Sequence, residues 1–338
     1  MWRKLLIQKK IAIIAPWVSD TDWSETLLNN FLELLIDHAE VKIIYGQTSK
    51  DVPSKFHFLE QKLTTSLNIL HEAEFMAHCT ACIILDGNFI NFRVLRTLLP
   101  ESAQIVLMVN GGAFQPYDFD HQFLPKHVDA ITRYEEGLFG LCDKIIASSH
   151  YAKNLLIKSF PLLRKRVEVI PYPLKTWPSS QLLANCPIAG KQGTGYIGRQ
   201  SWEKGIDLFN QIKPCHSPSL IQGLTGDAYF KALASLRAVV CPARAELFGY
   251  GVIEAIQSGT IPLVPNGLSY VETVKLPQSL FLSFPINENT VDEIHQKLKM
   301  IECFDAKTYQ QIINNAQENV RQMEQLSRRK FKVLAERL

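Results

Sequence analysis

The chain has 338 residues, of which 46% are hydrophobic and 20% charged, and a net charge of +3. That length implies two domains of ~100–200 residues each, and the composition excludes a disordered chain. So small a charge does not argue for a nucleic-acid partner, and the longest apolar runs fall short of the ~18–20 residues that a membrane span needs.

The start, MWRKLLIQKKIAIIAPW, is basic and then apolar. Its run Ile11 to Ala15 ends at Pro16 with no cleavage pattern after it, and reads as a buried first strand of a cytoplasmic chain rather than a signal peptide. Ser24 to Asp37 places Leu27, Leu28, Phe31, Leu34 and Leu35 at helical spacing. Strands follow at Val41 to Tyr45, Ala81 to Leu85, Ile105 to Val109, Lys144 to Ala147 and Val167 to Ile170. Helices are expected between them at Phe58 to Ala77, Asn91 to Leu98, Val128 to Cys142 and Tyr151 to Lys158. Such alternation predicts an α/β fold with a parallel sheet covered on both faces. Residues 173–195, rich in Pro, Ser and Gly, read as a linker between a first domain, 1–172, and a second, 196–320. The second opens on Tyr196-Ile197-Gly198-Arg199 and continues through helices at Lys204 to Ile212 and Ala228 to Leu236. The tail from Asp305 to Leu338 is helical and charged.

The seven cysteines are an odd count scattered through apolar segments, which fits a reducing compartment. Cys79-Thr80-Ala81-Cys82 has no second pair at zinc spacing and enters a strand, so both thiols read as core. Basic clusters occur at Arg3-Lys4 with Lys9-Lys10, at Arg164-Lys165-Arg166 and at Arg328-Arg329-Lys330. The plain reading is solvated faces and helix ends; the sharper one is weak attraction to an anionic membrane surface, as peripheral contact, or to a phosphorylated acceptor.

Two segments carry chemistry. Cys241 to Asn266 reads as strand, glycine-rich loop, helix and strand, with Glu246 and Glu254 bracketing Phe248-Gly249-Tyr250-Gly251. In such a unit an anion sits beyond the strand end against the helix N-terminus, where backbone N–H groups lack partners. Gly198-Arg199-Gln200-Ser201-Trp202-Glu203-Lys204-Gly205 turns from a strand into a helix, with Arg199 and Lys204 placed to reach one diphosphate.

Together these segments resemble the signatures of retaining GT-B glycosyltransferases, most like glycosyltransferase family 4. Cys142 to Ser149 (CDKIIASS) and Val169-Ile170-Pro171-Tyr172-Pro173 are similar to two further landmarks of that family, so the likeness runs from about Asp143 to Asn266. It implies two Rossmann-like domains facing across a cleft, with the last helix, about 321–338, packing back on the first. It also implies a UDP-, GDP- or ADP-sugar donor, no cofactor and no metal. Carried over, Arg199 and Lys204 hold the diphosphate, Glu246 positions the donor sugar and Glu254 accepts from the ribose. Gly198 and the backbone of Phe248, Gly249, Tyr250 and Gly251 meet the nucleotide-sugar, and Asn110 and Gly111 face it from the first domain.

The chain departs from that pattern in three places. Ala15 to Asp20 replaces the usual glycine pair after the first strand. Asn110-Gly111-Gly112 stands where a histidine is frequent, with His121 further on; that histidine reads as a surface or core residue rather than a substitute. The span from Gly205 to Cys241 is short, so the donor domain reads as trimmed. The acceptor is a glycan, a lipid or a small molecule in preference to RNA. A tRNA acceptor stays as an alternative, because Leu263 to Glu272 is similar to a segment of tRNA-queuosine mannosyltransferases. An inactive nucleotide-sugar-binding or interaction protein is the alternative outside enzymes. Glu272 itself reads as a helix cap.

Overall fold

The computed structural model describes residues 9–15, 23–45, 65–87, 90–118, 121, 124–174, 190–216, 219–221, 224 and 226–338. The loop 16–20, the first part of the helix expected from Phe58, and most of the linker lie outside the described residues.

Among the described residues, six strands form the first sheet: β1 (Lys9–Ala15), β2 (Ala39–Tyr45), β3 (Ala81–Ile84), β4 (Gln104–Val109), β5 (Lys144–Ala147) and β6 (Val167–Val169). All pairs are parallel, in the order β2-β1-β3-β4-β5-β6. The apolar run of β1 is buried from Ile11 to Ala15, as expected of a parallel strand covered on both faces. Cys79 and Cys82 are buried beside it, and burial pushes the Cys79 thiol up to about 11, so neither is set up as a reactive thiolate. The longer helices here are α1 (Trp23–Leu35), α2 (Phe92–Leu98), α3 (Val128–Phe139) and α4 (His150–Ser159), and a short one at Ala73–Met76 falls in the segment expected to be helical from Phe58 to Ala77.

The second sheet holds four strands among the described residues: β7 (Thr194–Tyr196), β8 (Ser219–Leu220), β9 (Ala238–Val240) and β10 (Ile261–Leu263), in the parallel order β10-β9-β7-β8. Its longer helices are α5 (Ile206–His216), α6 (Gly226–Ser235), α7 (Tyr250–Gln257) and α8 (Thr290–Glu302), with a short one at Tyr270–Thr273. Among the described residues, the short span between Gly205 and Cys241 holds α5, the two-residue β8, α6 and β9. The chain leaves β7 toward β8 on one side and returns to β9 on the other. The order therefore reverses between β7 and β9, the point at which an open parallel sheet places its crevice beyond the C-terminal strand ends.

The long helix α9 (Ala306–Arg337) begins at Asp305, whose side chain accepts from Thr308 N–H, and spans both halves of the molecule. Near its start Tyr309 donates to the carbonyls of Arg237 and Gly259 in the second domain. Near its end Phe331 packs edge-on against Phe31 of α1 at 5.2 Å, and Lys330 Nζ donates to Val169 O at 2.6 Å. Buried positions recur at helical spacing from Tyr309 to Val320 and again from Ser327 to Leu334, so one face of the helix serves two cores.

Candidate functional site

The loops after β7 and β9 meet at the crevice and brace each other. Gly205 has φ 76°, and a Cβ there would run into the Pro242 carbonyl, so the first loop lies directly on the second. Glu203 O accepts from Arg244 N–H at 2.7 Å. The Arg244 guanidinium donates to Trp202 O at 2.6 Å and grips Asp207 with two 2.8 Å bonds. It also lies 4.4 Å over the Trp202 ring. The Tyr196 hydroxyl, 2.7 Å from Arg199 O, closes the first loop from beneath.

This frame presents Lys204 to Glu246. Lys204 Nζ donates to Glu246 Oε2 at 3.0 Å and to Ala245 O at 2.9 Å. The other oxygen, Glu246 Oε1, accepts from the N–H groups of Leu247 at 3.1 Å, Phe248 at 3.2 Å and Gly249 at 3.0 Å. Burial alone would raise this carboxyl. The charge and hydrogen bond of Lys204, with the Phe248 and Gly249 N–H groups, outweigh it and hold Glu246 below the usual carboxylate range. Gly249 caps α7 at φ 88°, and a Cβ there would lie 2.8 Å from the Tyr270 ring. The anion at this helix entry is thus the chain's own carboxylate. The N–H groups of Phe248 and Gly249, expected to face a ligand, are directed at Glu246.

Arg199 is brought to the same rim but not into that pair. Its side chain is 65% exposed, and Nη2 lies 3.1 Å from Glu203 Oε1, which also accepts from Ser201 Oγ at 2.5 Å. Glu203 is 1% exposed, and its Oε2 is buried without a hydrogen-bond partner among the described residues. Gly198, at φ 132°, sets the turn between β7 and these side chains, with Lys204 Cβ 3.7 Å from where its own Cβ would lie. Glu254, one turn into α7, accepts from the Tyr229 hydroxyl of α6 at 2.9 Å. Burial first, then the Glu254 charge and hydrogen bond, push the Tyr229 phenol well up, so it stays protonated and donates. A Cβ on Gly251 would come within 3.8 Å of that hydroxyl.

The first domain supplies the opposite wall. Asn110 and Gly111 follow β4 and line a shallow hollow with Asp86 and Gly87. Their loop is tied down by Asp118, which accepts from Gly112 N–H at 2.9 Å, and by Glu135, which accepts from Ala113 N–H at 2.9 Å. His121 Nε2 lies 2.8 Å from Ala113 O and serves this loop. At its far end Tyr117, with φ 67°, places its ring 5.9 Å from Trp202 across the cleft. Tyr250 Oη donates to Pro173 O at 3.1 Å, and its ring stacks on Tyr172. The C-terminal ends of the two sheets therefore face each other.

Sequence reasoning missed Glu203, Tyr229 and Arg244. Each has its key partner tens of residues away or buried under a loop, and none stands in a run with a period of its own.

No protein-family description matches the chain, and no curated protein matches it in sequence. Solved structures do match in shape. Sucrose-phosphate synthase from Thermosynechococcus elongatus aligns at a TM-score of 0.74 with 14% identity, over 97% of this chain and 99% of that one. HepE of Anabaena, in complex with UDP and glucose, aligns at 0.67 with 14% identity, over 97% and 100%. The catalytic domain of starch synthase IV from Arabidopsis thaliana, bound to ADP and acarbose, aligns at 0.60 with 11% identity, over 95% and 99%. The fold is GT-B. In these GT-B terms Lys204, Glu246, Arg199 and Glu254 line the wall of the second domain, and Asn110 and Gly111 that of the first.

Proposed function

We propose that the protein is a retaining, metal-independent glycosyltransferase that moves a sugar from a nucleotide-diphosphate sugar to an acceptor hydroxyl. The observation that carries this is the Lys204–Glu246 pair, held 3.0 Å apart where the strand order of the second sheet reverses and a glycine-capped helix begins. The three structural relatives support the reading as proteins of the same fold that handle sugars. HepE was captured with UDP and glucose, and starch synthase IV with ADP. UDP- and ADP-sugars therefore lead the donors to test, with GDP-sugars beside them.

In this mechanism Lys204 turns toward the donor diphosphate, and Arg199, exposed at the rim, swings in from Glu203. Negative charge grows on the leaving diphosphate as the glycosyl bond stretches through an oxocarbenium-like state. Once turned in, the two cations stabilise that charge. Glu246 lies beside the sugar, Glu254 accepts from the ribose hydroxyls, and the start of α7 faces the phosphates. The acceptor hydroxyl attacks from the face the diphosphate leaves and gives its proton to the departing phosphate oxygen, which retains the anomeric configuration. The acceptor enters past Asn110 and Gly111; a glycan, lipid or small molecule fits this modestly charged chain better than RNA. Incubation with UDP-, GDP- and ADP-sugars tests the reading: free nucleotide should be released slowly from at least one donor, and faster once an acceptor is supplied.

A further inference from the structure

The start of α4 is completed by the other domain. A helix start leaves four N–H groups without intrahelical partners. In α4, Lys153 N–H makes the first intrahelical bond, to Ser149 O at 3.0 Å, and Ala152 N–H donates to Ser149 Oγ at 3.1 Å. Two of the other N–H groups at this start, those of His150 and Tyr151, donate to the two carboxylate oxygens of Glu272 at 2.7 and 2.6 Å. Glu272 belongs to the short helix Tyr270–Thr273 beyond β10, in the second domain. A carboxylate at a helix start is a charge-assisted cap favoured by the helix dipole.

A second set of bonds runs alongside it. Ser148 Oγ and Ser149 Oγ, both buried, donate to Leu247 O at 2.9 and 2.8 Å. Ser149 is used in full, since its hydroxyl accepts from Ala152 and donates across the cleft. Leu247 follows Glu246, and its N–H is one of the three held by that carboxylate. Tyr270, at the start of the Glu272 helix, packs its ring under Gly249 and sets its hydroxyl 3.3 Å from Cys241 Sγ. The Glu272 helix and the Glu246 loop are therefore one packed body, and α4 touches that body at two places.

We propose that Glu272, Ser148 and Ser149 are positioning residues that dock the two domains and set the Glu246 loop, so that closing the cleft completes both a helix cap and the sugar-positioning site. The link to transfer rests on the glycosyltransferase reading; the docking itself does not. When the domains part, the α4 N–H groups and Leu247 O exchange these partners for water. When they close, the Leu247 carbonyl is pinned beside Glu246. Glu272 lies at the exposed edge, so salt screens its share of the docking.

Small-angle scattering on the whole protein, paired with UDP calorimetry and nucleotide release from UDP-glucose, tests this on wild type, Glu272→Ala, Glu272→Gln and the Ser148→Ala/Ser149→Ala double variant. In Glu272→Ala the radius of gyration should rise, with the closing equilibrium weakened about tenfold. UDP affinity should stay within about twofold while turnover falls about tenfold. Glu272→Gln, which keeps one accepting oxygen, should lie between, and wild type should expand as ionic strength rises. A cap that only stabilises α4 would lower the melting temperature and leave the radius unchanged in all variants and at all salt concentrations; that result overturns the proposal. If Glu272→Ala does not fold, Glu272→Gln and the salt series on wild type decide it. Wild type that releases nucleotide from none of the UDP-, GDP- and ADP-sugars, yet expands on loss of Glu272, would end the transferase reading and leave the docking intact.

Discussion

Lys204 and Glu246 lie 42 residues apart in sequence, on the loops after two adjacent strands, and meet with Nζ 3.0 Å from Oε2. The ammonium and the helix entry, both suited to an anion, are joined by one carboxylate. A bound diphosphate would compete with Glu246 for Lys204, and Glu246 would then be released toward the sugar. Lys204→Ala should lower nucleotide release by about 10²–10³-fold, the range for losing one preorganised group at a developing charge. Circular dichroism should show the fold intact, because Glu246 keeps its three N–H donors.

Acid should loosen this corner late. Glu246 is held below its ordinary value, so its contribution to stability is complete above the unfolded pKa, about 4.3, and is lost as pH falls through the lower folded value. Thermal melts of wild type and Glu246→Gln, run from neutral to acidic pH, should converge only below the ordinary carboxylate range. Curves that converge near neutrality would mean the carboxyl is not held down.

Tyr229 anchors Glu254 from a helix that no motif marks. Tyr229→Phe keeps the ring and removes one hydrogen bond, worth ~1 kcal/mol, so donor affinity should weaken about threefold to tenfold. Turnover at saturating donor should hardly change, since the bond orients the ribose partner rather than the leaving group. Calorimetry with the nucleotide, set beside saturation kinetics, separates the two effects.

Gly249 combines φ 88° with a ring where a Cβ would go. Gly249→Ala should cost ~1–3 kcal/mol of stability from backbone strain alone, and Tyr270 must also give way. Because that ring carries the Glu272 helix, both melting temperature and nucleotide affinity should fall. Gly251→Ala, within α7, meets only ordinary contacts, the nearest at 3.7 Å, and should not lower the melting temperature but raise it slightly.

Much of this architecture was legible in the residues. Apolar β-branched runs such as Ile11 to Ala15 and Ile105 to Val109 locate the buried parallel strands, and the loops around Lys204 and Glu246 announce an anion site. The helix expected from Lys204 begins instead at Ile206, because Gly205 adopts a left-handed conformation that breaks it after one 3-10 turn. Strand β8 was illegible: Ser219–Leu220 is two exposed residues, defined only by pairing with β7. The Thr290–Glu302 helix also went unread, for its buried positions, Ile294, Leu298 and Ile301, are few in a polar segment. Glu272 read correctly as a cap, yet the helix it caps lies in the other domain. Periodicity reports which face is buried, and it is silent on which distant partner buries it.

The central claim is that the Lys204–Glu246 crevice takes a nucleotide-diphosphate sugar. Nucleotide release from a panel of UDP-, GDP- and ADP-sugars, measured on wild type and Lys204→Ala side by side, tests it most directly. The expected result is release from at least one donor by wild type and near-complete loss in the variant. Equal release by both proteins, or none from any donor by a folded wild type, would contradict it.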